Sequence, residues 1–132
     1  SPIVNHVDIN HMQKHILIVD DEEIILTGIK AIIEKHRHLV DMATNGARGI
    51  ELLSQKAYDV LITDIIMPEM DGLELIHYAK QRRPNIRIIA MSGGGRISDE
   101  DHLKKAKELG CDFIIEKPFP SIELIKAIQE LN

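Results

Sequence analysis

The sequence predicts an α/β protein in which five strands and five helices alternate to form a doubly wound (βα)5 sheet. Short apolar segments and longer amphipathic segments alternate five times along the 132 residues. Four of the apolar segments are rich in Ile, Leu and Val, which is typical of strands that are buried on both faces of a parallel sheet. Because successive strands and helices form right-handed βαβ units, helices should cover both faces of this sheet.

The predicted strands are short and occur at regular intervals. They cover residues 15–20, 38–43, 59–64, 86–91 and 112–116. The second strand, HLVDMA, mixes polar and apolar residues, so we expect it at an edge of the sheet. The other four, including the fifth strand DFIIE, are expected to be buried on both faces.

The helices are predicted from apolar residues that recur at helical spacing. In the first helix, residues 22–35, the stripe consists of Ile25, Ile29 and Ile32. The others are predicted over 46–56, 72–83 and 99–110, and in a last segment that contains Leu124, Ile128 and Leu131. We expect Asn45 and Ser121 to begin helices and Pro84 to end the third.

Length, charge and cysteine content exclude several classes of protein. The length suits one domain, which we place at 15–132 after an N-terminal extension over 1–14. A net charge of −5 does not favour contact with nucleic acid. The single cysteine, Cys111, excludes an internal disulfide, and no apolar segment is long enough to span a membrane. With no signal peptide in view, we expect a cytoplasmic protein without membrane contact.

Charged and hydroxyl side chains occur where the predicted strands end. Asp20 and Asp21 end the first strand, and Asp64 ends the third. Ser92 follows the fourth strand, and Lys117 follows the fifth. Ligands of open parallel sheets bind at this carboxyl edge, and Mg²⁺ prefers carboxylate and phosphate oxygens. The pattern therefore predicts a Mg²⁺ site beside an aspartate that could accept a phosphoryl group, with Lys117 neutralising phosphoryl charge.

Four motifs in the expected order resemble those of the receiver domains of two-component response regulators. They are VDDE after the first strand, ITDIIMPEMDG around the third, MSG after the fourth and EKPF after the fifth. The resemblance covers about residues 15 to 131, and four motifs together are far more specific than any one of them. It implies the CheY-like, flavodoxin-like fold, with strand order 2-1-3-4-5.

The resemblance implies a role for each residue at the metal and phosphoryl site. Asp64 would be the phosphoacceptor and a metal ligand, and Asp20 and Asp21 would be the other acids that bind Mg²⁺. Ile66 would add its backbone carbonyl to the metal. The side chain of Ile66 is a departure, because the family often has a polar residue there that helps water reach the phosphate, and this predicts a long-lived aspartyl phosphate.

The switch residues are likewise implied by the resemblance. Ser92 would be the switch hydroxyl, Lys117 would pair with the phosphate, and the peptide bond before Pro118 would be cis. Ile114 stands where the family has a switch aromatic, so coupled rotation of an aromatic ring is not expected. The segment from Ser92 to Lys117 is also longer than is common in the family, with GGGR at 93–96 as the insertion.

The function implied is that of a switch without classical enzyme activity. A sensor histidine kinase would phosphorylate Asp64 in a Mg²⁺-dependent reaction, followed by slow autodephosphorylation. The surface of the fourth helix, fifth strand and fifth helix would then change and control a partner or output domain. A second copy of the chain is a further possible partner, in a homodimer that forms on phosphorylation.

Two other functions compete with this interpretation. SGGGRIS, residues 92–98, partly fits a dinucleotide fingerprint, which would indicate a nucleotide- or flavin-binding enzyme. Two features disfavour this: Ser98 stands where the fingerprint ends in Gly or Ala, and the segment follows the fourth strand instead of the first. A pure interaction module that never takes phosphate is the other alternative. The seven histidines are interpreted as surface residues and Cys111 as a packing residue.

Overall fold

The computed structural model describes residues 12–93 and 99–131. The strands are β1 (His15–Val19), β2 (Leu39–Ala43), β3 (Val60–Asp64), β4 (Arg87–Ser92) and β5 (Phe113–Glu116). The helices are α1 (Glu23–Lys35), α2 (Gly46–Gln55), α3 (Gly72–Arg82), α4 (Asp99–Glu108) and α5 (Ser121–Glu130). The predicted alternation is confirmed. Most of the 92–98 segment and of the extension before residue 15 lies outside the described residues.

All five strands are parallel and lie in the order β2-β1-β3-β4-β5. The doubly wound fold and the strand order are therefore confirmed, as is the edge position of β2. The order reverses between β1 and β3, and the register of these two strands pairs Val19 with Thr63. Their carboxyl ends, Asp20 and Asp64, consequently lie side by side at the switch point where ligands of such sheets bind.

Helices cover both faces of the sheet, with one apolar core on each side. The core under α1 and α5 contains Ile16, Ile18 and Ile62, and the core under α2, α3 and α4 contains Leu17, Val19 and Leu61. Successive residues along each strand therefore point to opposite faces of the sheet, and both faces are covered by helices. The two cores hold the carboxyl ends of the strands in fixed positions.

The ends of three helices can be compared with their predicted signals. Asn45 caps α2, because its side chain accepts a hydrogen bond of 2.8 Å from the Arg48 N–H. α3 ends at Arg82, two residues before Pro84, as predicted. Ser121 is the first residue of α5, but the N-cap position belongs to Pro120 and no side chain caps that helix.

Two predictions about burial were wrong in detail. The buried residues of α1 are Leu26, Ile29 and Ile33, whereas Ile25 and Ile32 of the predicted stripe are only partly buried. α1 therefore lies rotated by about one residue from the predicted orientation. β5 is the second edge of the sheet, and only its Ile115 is buried. An edge strand lacks a neighbour on one side, so even an apolar strand remains partly exposed there.

Candidate functional site

Three aspartates come together at the carboxyl edge of the sheet. Asp20 follows β1 and is fully buried, Asp64 is the last residue of β3 and is nearly buried, and Asp21 is exposed. One carboxylate oxygen from each lies within 4.8 Å of the others. This arrangement of oxygen ligands, two of them withdrawn from water, suits a hard divalent cation such as Mg²⁺.

Lys117 joins two of these acids from the end of β5. Its Nζ lies 2.6 Å from Asp20 Oδ2 and 3.1 Å from Asp64 Oδ2, and its side chain is 13% exposed. Burial by itself would lower the pKa of Lys117. The hydrogen bonds and negative charges of the two aspartates outweigh this effect, so the pKa is raised and the ammonium stays protonated.

The Asp64 carboxylate is held in two ways. Lys117 contacts Oδ2, and the Ile66 N–H donates a hydrogen bond of 3.3 Å to Oδ1. Burial raises the pKa of Asp64, and the nearby Asp20 charge adds to that rise, whereas Lys117 and the Ile66 N–H oppose it. A carboxylate in this position is oriented and accessible at the rim, and it is poorly solvated compared with one in water.

Asp20 is fixed independently of Asp64. Its Oδ1 accepts a hydrogen bond of 2.9 Å from the Glu22 N–H, at the start of α1. Its own N–H donates to Ala43 O at 3.2 Å, which extends the β1–β2 pairing past the end of the strands. Asp20 is therefore the rigid inner member of the acid cluster, and Asp21 is the outer one.

A close turn after β3 explains the glycine in the MDG sequence. The Gly72 N–H donates a hydrogen bond of 2.6 Å to Ile65 O. A Cβ at this position would lie 2.0 Å from Asp64 O. Only glycine fits here, because α3 begins directly against the backbone of the strand end. Asp71 caps α3 by accepting a 3.0 Å hydrogen bond from the Glu74 N–H.

The predicted switch residues lie on β4 and β5 or directly after β5. Ser92 ends β4 and is nearly buried, and its carbonyl accepts a 2.7 Å hydrogen bond from the Lys117 N–H. The peptide bond from Lys117 to Pro118 is cis, the isomer that the resemblance implied. Ile114 is partly buried and packs against the core under α2, α3 and α4. Ile66 is partly buried as well, and it lies beside Asp64.

Sequence reasoning missed two features. One is a cavity beside Asp64 and Lys117, formed by α1 and the loops after β3 and β5. The exposed Ile24, directly after two glutamates in DEEII, is the only sequence signal that could have indicated it. The other is a polar cluster remote from the site, in which Asp41 accepts hydrogen bonds from Tyr58 at 2.6 Å and Lys56 at 3.1 Å.

Among residues 12–93 and 99–131, no helix is long and apolar enough to cross a bilayer.

Comparisons with known proteins identify the family. The family model for the response regulator receiver domain matches residues 16–129. The chain is 32% identical over 120 residues to the chemotaxis protein CheY of Halobacterium salinarum, covering 91% of this chain and 98% of that protein. It is 35% identical over 119 residues to the uncharacterized transcriptional regulatory protein YesN of Bacillus subtilis, covering 88% of this chain and 32% of that protein.

A solved structure agrees with these sequence relatives. The receiver domain protein of Methanospirillum hungatei superimposes with a TM-score of 0.83 at 30% identity, covering 89% of this chain and 92% of that one. Fold, sequence and the order of the motifs thus point to one family. The chain belongs to the response regulator receiver domains of two-component systems.

Proposed function

We propose that this chain accepts a phosphoryl group on Asp64 in a Mg²⁺-dependent reaction and acts as a phosphorylation-operated switch. The observation that supports this most strongly is the position of the Asp64 carboxylate. It lies at the rim of the sheet between an acid cluster that suits a cation and an ammonium 3.1 Å away.

The residues of the chain each contribute to the proposed transfer. Asp64 supplies a carboxylate oxygen as nucleophile, and the Ile66 N–H and Lys117 orient that carboxylate. The acid cluster and the Ile66 carbonyl would hold Mg²⁺, which when bound neutralises charge on the phosphoryl oxygens. Lys117 would remain beside the new phosphate as its counter-charge, and the Ser92 hydroxyl would donate to a phosphoryl oxygen.

Phosphorylation would shift the protein between two states. The phosphoryl group carries roughly 1.5 to 2 negative charges, of which about one replaces the charge that the Asp64 carboxylate loses, and it places them next to Lys117 and Ser92. We propose that this charge draws Ser92 inward and changes the surface of α4, β5 and α5, so that the switch is a shift in population. The Ile66 side chain near the phosphate would slow its hydrolysis.

The proposed partners are those of a response regulator. A sensor histidine kinase would donate the phosphoryl group, and an output protein or domain would respond. YesN is a transcriptional regulatory protein, and the matched region is about a third of its length. We propose residues 15–132 as the receiver domain, after an extension over 1–14. The free thiol of Cys111 supports a reducing compartment such as the cytoplasm.

Intact-mass spectrometry tests the proposal. The protein is incubated with acetyl phosphate and Mg²⁺, and in parallel with acetyl phosphate and a chelator. We expect one added phosphoryl group with Mg²⁺, little without it, and none in the Asp64→Asn variant. Phosphoryl uptake by that variant would contradict the assignment. If the protein takes up no phosphoryl group under any condition, and if its stability is the same with and without Mg²⁺, the pure interaction module would be favoured.

A further inference from the structure

The loop over residues 65–71 joins Asp64 to α3 and holds one oxygen of the Asp64 carboxylate. The N–H of Ile66 in this loop donates a hydrogen bond of 3.3 Å to Asp64 Oδ1. The loop is closed at its base, where the Gly72 N–H donates to Ile65 O. Two residues at its tip are exposed, so other side chains of the loop must hold the part that lies beyond the base. The packing of those side chains therefore bears on the geometry of the phosphoryl site.

The outer half of the loop adopts a conformation that its sequence does not favour. Glu69 has a φ of 70°, in the left-handed region that residues other than glycine seldom occupy. The Met70 N–H donates a hydrogen bond of 2.8 Å to Pro68 O, across Glu69. Met67 is buried in the core under α2, α3 and α4 and fixes the loop before its tip. Met70 is the apolar side chain that can fix the loop after its tip.

The Met70 side chain packs on Gly46, the buried first residue of α2. A Cβ on Gly46 would lie 2.7 Å from Met70 Sδ and 2.9 Å from both Met70 Cβ and Cγ. Because Met70 Cβ is attached to the loop backbone, rotation of the side chain could not relieve this overlap, and the loop or α2 would have to move. Alanine is intrinsically favoured over glycine in a helix, so the close approach of Met70 explains the glycine. We call this packing the Gly46–Met70 contact.

We propose that Met70 is a positioning residue for the phosphoryl site, and that the Gly46–Met70 contact sets the affinity for Mg²⁺ and the rate of phosphorylation. This inference rests on the proposed function of Asp64. Met70 acts through the loop backbone, which keeps the Ile66 N–H on the Asp64 carboxylate and keeps the Ile66 carbonyl, our proposed metal ligand, in place. Altering groups that orient metal ligands from outside typically changes metal affinity or activity by about 10- to 100-fold.

A double-mutant cycle tests the contact. Isothermal titration calorimetry gives the Kd for Mg²⁺, and intact mass gives the rate of phosphorylation by acetyl phosphate at saturating Mg²⁺. Gly46→Ala introduces the overlap with Met70, and we expect it to weaken Mg²⁺ binding and slow phosphorylation, each by roughly tenfold. Met70→Gly removes all three overlapping atoms together with the packing, and should weaken Mg²⁺ binding as well. In the Met70→Gly background, Gly46→Ala should have no further effect, because nothing is left to displace.

Gly49→Ala is the matched control for crowding of α2. Gly49 is also a buried glycine of α2, and a Cβ there would lie 3.2 Å from Leu75 Cδ1 and from Val19 Cγ2. The added methyl group therefore presses on α3 and β1 and not on the loop over 65–71. We expect Gly49→Ala to change the free energy of unfolding, measured in urea with a chelator, and to leave the Kd for Mg²⁺ unchanged.

The outcomes distinguish this inference from the proposed function. Weaker Mg²⁺ binding in Gly46→Ala that is absent in Gly49→Ala, and that Met70→Gly cancels, supports the inference. Native affinity in Gly46→Ala, or an equal loss in Gly49→Ala or in both backgrounds, would overturn it while Asp64 phosphorylation stands. If Gly46→Ala does not fold, native affinity and rate in Met70→Gly would overturn the inference, and a loss of both would support it. A native protein that neither binds Mg²⁺ nor takes up phosphate would overturn the proposed function, and the inference with it.

Discussion

Replacing Lys117 by Met removes the positive charge that contacts both the Asp20 and the Asp64 carboxylate. Asp20 is fully buried, and the side chains of Lys117 and Asp64 are 13% and 9% exposed. This is the environment in which removing one member of an ion pair costs about 3 to 5 kcal/mol, unlike a surface pair that contributes about 0 to 1 kcal/mol. Both aspartates keep one backbone N–H donor, so we expect a loss of about 3 kcal/mol.

Urea unfolding at neutral pH in the presence of a chelator measures this loss. Thermal unfolding under the same conditions should show the loss as a fall in Tm of about 12 °C, at roughly 4 °C per kcal/mol. Adding Asp64→Asn should reduce the penalty, because only Asp20 is then left without its counter-charge. Lys126→Met, at an exposed position of α5, is the matched control and should change stability little. A loss below about 1 kcal/mol, or one that Asp64→Asn does not change, would refute the coupling argument.

Three further predictions follow from the same site. Because burial raises the pKa of Asp64 above its unfolded value, ionisation of Asp64 costs stability at neutral pH. In urea unfolding at neutral pH with a chelator, Asp64→Asn should therefore be more stable than the native protein. This gain should vanish as the pH falls below the pKa that Asp64 has in the unfolded chain. A gain that persists in acid would contradict a raised pKa of Asp64. Millimolar Mg²⁺ should raise the Tm, and Asp21→Ala should weaken the Mg²⁺ dependence; a Tm that is insensitive to Mg²⁺ argues against a metal site. Ile66→Asn should accelerate decay of the phosphoprotein, followed by intact mass over time, and an equal or slower decay would place control of water access elsewhere.

Much of the fold could be predicted from the chain, because its strands follow a strong and consistent pattern. β3 is buried at every position, and its sequence VLITD begins with three apolar residues before Thr63 and Asp64. The motifs at the strand ends were enough to predict that Asp20, Asp64 and Lys117 lie close together, because parallel strands end at the same edge of the sheet. Local signals also worked where the chemistry is local, as with the Asn45 cap.

The sequence could not determine what depends on tertiary packing. Helical spacing allows more than one apolar stripe on α1, because Leu26 and Ile33 are as apolar as Ile25 and Ile32, and only contact with the sheet selects one. In that orientation Ile24 and Ile25 line the cavity beside Asp64. The double pairing of Lys117 could not be predicted either, because the prediction paired this lysine with a phosphate, whereas its Nζ contacts both Asp20 and Asp64.

Asp64 is the residue that we propose to carry the phosphoryl group. Reduction of the acetyl phosphate-treated protein with borohydride converts an aspartyl phosphate to homoserine, and peptide mass spectrometry then locates the change. We predict homoserine at position 64 alone, dependent on Mg²⁺ during phosphorylation. Homoserine at Asp20 or Asp21, or a phosphate found on a histidine instead, would contradict the account.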